Sequence, residues 1–171
     1  STSFFSCRTS GGYGGAIYFS NTGSGQSVLY EVCGYVCFST YSSGQHYQFA
    51  HIYVNNAASS KNYVNYSSIT RCVNVNSNSH YILRLYYGKI CFPSVNISQN
   101  KCQYCSITCD PFSDLNSVTC SFSYSSFTDN TANQYSCIVL WVGSGKFEIK
   151  SCNILRNTQG SLGTWGTIAT W

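Results

Sequence analysis

The chain has 171 residues, of which 43% are hydrophobic and only 8% charged, with a formal net charge of +4. That apolar content excludes a disordered polymer, the charge fraction is far below the ~25% of ordinary globular proteins, and nine basic residues are too few for a dedicated nucleic-acid surface. Fifteen Tyr and ten Phe among abundant Ser, Asn and Thr, with no stretch rich in Ala, Leu, Glu and Lys, indicate strands joined by polar turns.

Taken in chain order, the elements recur. "STSFFSC" carries an aromatic anchor at Phe5, and "GGYGGAIYF" opens into a strand at Ala16–Phe19. Further anchors follow at Phe38, Ile69, Ile97, Phe127 and Ile154, in steps of 33, 31, 28, 30 and 27 residues. Five residues before the last five anchors stand Cys33, Val64, Phe92, Phe122 and Ile149. Three residues after the anchors stand Arg8, Tyr41, Cys72, Asn100, Asn130 and Asn157. A second apolar strand follows most anchors: "AIYF", "FAHIYV", "YILRLY", "CSITC", "IVLW" and "GTIATW". Units of this length with no intervening helix predict an all-β fold, a right-handed parallel β-helix of about six coils of ~27–33 residues spanning 1–171 as one segment. Anchors and minus-five residues would form inward stacks. Asn100, Asn130 and Asn157 would form a ladder at a tight corner, where Asn tolerates left-handed backbone. A β-sandwich also predicts many short strands, but not one residue type at one offset in three successive units.

Few motifs point to chemistry. The run Gly11–Gly15 is followed by a strand, without the helix N-terminus and Lys of a phosphate loop, so it is expected to be a turn. The acids are Glu31, Asp110, Asp114, Asp129 and Glu148, and glycan hydrolysis would require two of them to converge. Of the histidines His46, His51 and His80, the last two fall near one strand of successive coils, with no third metal ligand at suitable spacing. No metal or cofactor is expected. The eleven cysteines contain no CxxC, and matching offsets point to disulfides between adjacent coils: Cys72 with Cys102, Cys91 with Cys120, Cys105 with Cys137. Lys61, Lys89 and Lys146 share one slot and suggest a solvated edge. Asn65 and Asn96 begin sequons and are candidate glycosylation sites.

The stretch "GGAIYF" resembles the GGAI motif of polymorphic outer-membrane-protein repeats. "FTDN", "ISQN" and "ILRN" resemble that family's FxxN motif, with only "FTDN" matching it strictly. The Ser/Asn/Tyr/Cys-rich texture, with "VCGYVC", is also similar to large β-helical surface proteins of parasitic protozoa. The resemblance implies a right-handed β-helix with a cell-surface or adhesive role. The absence of Met leads to the expectation of an excerpt from a longer chain, or of a filament subunit with both ends uncapped. The expected function is a non-catalytic structural or adhesive segment at an extracellular or cell-surface location, its partners being other coils, copies of itself end to end, or a host protein or glycan. Nucleic acid is not an expected partner, and membrane attachment would come only through segments outside this chain. The alternative is a β-helix protein that cleaves or binds glycans.

Overall fold

The computed structural model describes the chain except for residues 12, 24, 41–46, 73–80, 115, 144, 160–165 and 171. The described residues contain no helix and form short strands in three main stacks. The first face is built from Thr2–Phe5, Val32–Tyr35, Ser68–Thr70, Asn96–Ser98, Ser126–Thr128 and Asn153–Leu155. Ile17–Ser20, Tyr47–Tyr53, Tyr81–Tyr86, Cys105–Asp110, Ile138–Leu140 and Ile168–Thr170 form the second. Ser27–Tyr30, Lys61–Asn65, Lys89–Pro93, Val118–Ser123 and Lys146–Lys150 form the third. Pairing within each stack is parallel, as between Ile97 and Phe127 or Leu83 and Ile107. The chain visits the faces in the same order on each circuit, which makes a parallel β-helix. It completes about five turns rather than six, because the third face receives only five strands.

The alternation of side chains along a strand explains why these sequences close on one another. In Lys61–Asn65, Asn62 and Val64 are buried while Lys61 is exposed; in Lys89–Pro93, Ile90 and Phe92 are buried. The inward residues of all three faces merge into one continuous apolar core.

Two of the six expected anchors are misplaced. Ile69, Ile97, Phe127 and Ile154 do stack in register. The column continues through Gly34 and Phe4, however, not through Phe38 and Phe5. Phe5 points outward, 70% exposed, and stacks on Tyr35 at 5.3 Å. Phe38 lies on a short connecting strand opposite Arg8, whose guanidinium sits 5.6 Å from the ring centroid. The cause is visible at Gly34: a Cβ there would fall 2.3 Å from the ring of Phe49, a fully buried residue of the second face. The anchor space of this turn is thus filled from across the core. The same shift removes Cys33, which is exposed, from the minus-five column and puts Leu29 there beside Val64.

Corners are set by the backbone. Two residues after each inward anchor, Ser6, Val36, Arg71, Gln99, Asp129 and Arg156 all have φ between 51° and 57°. A second left-handed corner recurs three residues before the anchor, at Glu31, Tyr66, Ser94, Tyr124 and Ser151. The ladder asparagines follow the left-handed residue instead of adopting its conformation. Non-Gly residues pay roughly 1–2 kcal/mol for such a φ, so the corner needs compensating bonds.

Candidate functional site: the corner ladder and the tyrosine face

Those bonds come from the next residue. The Oδ1 of Asn100 accepts the Cys72 backbone N–H at 2.8 Å, that of Asn130 accepts the Asn100 N–H at 3.2 Å, and that of Asn157 accepts the Asn130 N–H at 3.0 Å. Each Nδ2 donates one turn back to an anchor carbonyl, namely Ile69 at 3.0 Å, Ile97 at 2.8 Å and Phe127 at 2.7 Å. The side-chain amides also bond one another at 3.0 Å. With the anchors corrected, the earlier members of this slot are Cys7, Cys37 and Cys72. One column therefore reads Cys, Cys, Cys, Asn, Asn, Asn along the axis. The Cys37 thiol donates to the Phe4 carbonyl at 3.4 Å, the role that Nδ2 plays in later turns. Hydrogen bonding between the Cys37 and Cys72 thiols lowers the pKa of the former and raises that of the latter.

All eleven cysteines are free thiols, so the three expected disulfides are not present. Register explains why. Cys91 lies opposite Ser121 and Cys120 opposite Ile90, so the one-residue offset directs the two thiols to opposite faces of the sheet. Cys72 belongs to the ladder slot, whereas Cys102 lies opposite Ala132. Cys105 is paired with Tyr81, and Cys137 comes one residue before Ile138, the partner of Ile107.

A different constellation covers the second face. The rings of Tyr13, Tyr47, Tyr81, Tyr104 and Tyr135 succeed one another turn by turn, with centroids 6.4, 5.5, 6.2 and 5.3 Å apart. The last three steps are nearly parallel, with interplanar angles of 18°, 26° and 16°. Beside this row, Tyr18, His51 and Arg84 are neighbours in register. His51 is caged by Tyr47 at 4.3 Å, Tyr18 and Tyr86 at 5.5 Å and Tyr13 at 5.6 Å. Arg84 lies 4.9 Å from the ring centroid of Tyr81 and 4.2 Å from that of Tyr86, within cation–π range. Burial, with Arg84 alongside, pushes the His51 imidazole down to about 4, so it is neutral near pH 7. Burial raises the Asp110 carboxyl and takes the Tyr81 phenol up to about 12. Neither the tyrosine row nor Arg84 is signalled by the repeat frame. Successive tyrosines are 34, 34, 23 and 31 residues apart, because the connections between the first and second faces vary in length.

The remaining expected residues are dispersed. Asp129 takes a bidentate bond from Arg156 at 2.7 and 2.8 Å, which lowers its pKa. Asp114 closes its own turn, accepting the Asn116 N–H at 2.8 Å and the Ser117 hydroxyl at 2.6 Å. Among the described residues, no three His, Cys, Asp or Glu side chains are placed to share a metal ion. Lys61 and Lys89 are in register, while Lys146 pairs with Val118. Asn96 is exposed on the first face, its Nδ2 donating to Ser68 Oγ at 3.4 Å. Asn65 is half-buried, and its sequon hydroxyl, Ser67 Oγ, donates to the Asn65 carbonyl and accepts the Val32 N–H. Tyr41, His46 and His80 lie outside the described residues.

No protein-family model, curated protein or solved structure matches this chain.

Proposed function

We propose that this chain is a non-catalytic structural segment, a length of β-helical stalk at an extracellular or cell-surface location that holds or presents adhesive surface. The observation that carries this reading is the corner column, in which side-chain amides bond turn to turn from Cys72 to Asn157 and the Cys37 thiol bonds back to the Phe4 carbonyl. Two of the five acids are engaged in contacts that hold the fold. Asp129 is held by Arg156 and Asp114 by its own turn, which speaks against paired carboxylates for glycan cleavage. Three steps of the tyrosine row direct ring faces at one another, which leaves them unavailable as a sugar platform. The short motifs support the same reading. A Cβ at Gly15 would meet the Gln48 carbonyl oxygen at 2.0 Å, so GGAI marks a close approach of two turns, and the FxxN asparagine of "FTDN" is ladder residue Asn130.

The partners proposed are further coils of the same protein or copies stacked end to end, with a host protein or glycan on the outer faces. The test is labelling of intact source cells with an antibody to this chain, alongside an assay for release of reducing or unsaturated sugar ends from acidic polysaccharides. The proposal expects surface label without permeabilisation and no release of sugar ends. Label seen only after permeabilisation, or saturable depolymerisation, would overturn it.

A further inference from the structure

The tyrosine row has a second property, which stands on ring geometry and does not depend on the proposed function. Tyr104 and Tyr135 occupy equivalent positions in adjacent turns. The Tyr135 backbone N–H donates to the Tyr104 carbonyl at 3.2 Å, and the preceding residues repeat the pattern, with the Gln134 N–H on the Gln103 carbonyl at 2.8 Å. A third tie joins the segments, from Asn133 Nδ2 to Gln103 Oε1 at 3.3 Å. The backbone thus holds the two rings side by side, 5.3 Å apart and 16° from parallel. Both side chains are half-exposed, open to a small oxidant. The chain contains no Met that would compete for that oxidant. A second pair, at the third face, supplies the contrast. Tyr30 and Tyr66 are more exposed, at 55% and 57%, with centroids 5.5 Å apart, but they meet at 71°, so the edge of one ring faces the π surface of the other.

We propose that Tyr104 and Tyr135 are a modification site, a dityrosine cross-link that joins adjacent turns covalently under one-electron oxidation by a haem peroxidase and hydrogen peroxide. The chemistry balances. Each phenol gives up one electron and one proton, the two phenoxyl radicals join through a carbon–carbon bond between positions ortho to the hydroxyls, and tautomerisation restores both aromatic rings. One peroxide accepts the two electrons and two protons and leaves as two waters. The two rings face one another nearly parallel at 5.3 Å, the orientation in which the π systems of two phenoxyl radicals meet face to face, whereas Tyr30 and Tyr66 meet edge to face. Such a bond would convert a corner held by hydrogen bonds into one that survives denaturant.

The experiment treats the dilute chain with peroxidase and peroxide, and in parallel with a photo-oxidised ruthenium complex small enough to reach half-exposed rings. The exposed thiol Cys33 is first alkylated so that it does not quench the radicals. Peptides are then mapped by mass spectrometry for a linked pair two hydrogens lighter than its parts. The expected result is an intramolecular Tyr104–Tyr135 link as the main product under both oxidants. It should be lost in Tyr104→Phe and in Tyr135→Phe, each checked by circular dichroism for an intact fold, and retained in Tyr30→Phe. If Tyr30 and Tyr66 are oxidised while no Tyr104–Tyr135 link forms, or if linked chains are predominantly intermolecular, the proposal is wrong.

Discussion

Asn130 is the middle rung of the corner ladder, and its amide meets three partners. It accepts the Asn100 N–H, bonds the Asn100 and Asn157 side chains and donates to the Ile97 carbonyl. Asn130→Ala leaves buried donors and an acceptor without partners, at about 1–3 kcal/mol for each group stranded. The expected loss is about 3 kcal/mol overall, read as a lower urea midpoint with an unchanged slope. The reverse change is Cys72→Asn. An amide in that slot would donate to the Gly34 carbonyl and accept the Cys37 N–H, extending the ladder by one turn. Its expected effect is a stabilisation of about 1 kcal/mol; a destabilised Cys72→Asn would show that the two halves of the column are not equivalent. His51 gives a pH signature. Its imidazole titrates near 6.5 in the unfolded chain but only about 4 in the fold. Between those values the unfolded state binds the extra proton, so stability falls as pH drops from about 6.5 towards 4. Among the described residues, the groups facing His51 are Arg84, which opposes protonation, and the phenols of Tyr13, Tyr18, Tyr47 and Tyr86. Asp110, alongside Tyr86, works in the opposite direction because burial raises its pKa. Because His51 is partly solvated, the loss is on the order of 1–2 kcal/mol. His51→Gln should flatten that limb of the urea midpoint against pH; an unchanged slope would remove His51 as its source.

At the scale of single turns, Gly34 and Phe49 exchange volume across the core. Phe49→Ala opens a cavity at about 3–5 kcal/mol. Gly34→Ala alone drives a Cβ to 2.3 Å from the Phe49 ring and is expected to cost about 1–3 kcal/mol. The two together should cost less than their sum, with a favourable coupling of about 1–2 kcal/mol in a double-mutant cycle. Strict additivity would refute the filling of the anchor space by Phe49. This pair also shows what the sequence could and could not convey. Turns whose anchor is Ile69, Ile97, Phe127 or Ile154 repeat visibly, because their own side chains occupy the column. At Gly34 the column is occupied by a residue fifteen positions away on another face, so the repeat offers no apolar mark, and Phe38 draws the frame off. In "SFFSC" two adjacent phenylalanines fit the pattern, and a shift of one residue exchanges the inside of a strand for the outside. The slip at Phe5 concealed Cys7 as a ladder member, and the displacement to Phe38 concealed Cys37. The second-face strands were legible as apolar runs, but the Tyr row was not, since it arises from connections of unequal length. Arg84, inside the apolar run "YILRLY", reads as an interruption until Tyr81 and Tyr86 are seen to enclose it.

Across the whole molecule, stability is a sum of similar turns, each contacting the next through three faces and a corner, as expected of a quasi-one-dimensional solenoid. Rigidity along the axis is what the proposed stalk role requires, and in-register parallel stacking favours it. The most direct test is a distance along the first face, where Ser3, Cys33, Ser68, Asn96, Ser126 and Asn153 form one outward column. Spin labels carried by a non-cysteine unnatural residue at positions 3 and 153 leave the native thiols untouched. Five strand spacings separate the two sites, so pulsed dipolar spectroscopy should give a single narrow distribution centred near ~24 Å. A broad distribution, or a centre that does not correspond to five stacked turns, would contradict the parallel in-register stack and everything built on it.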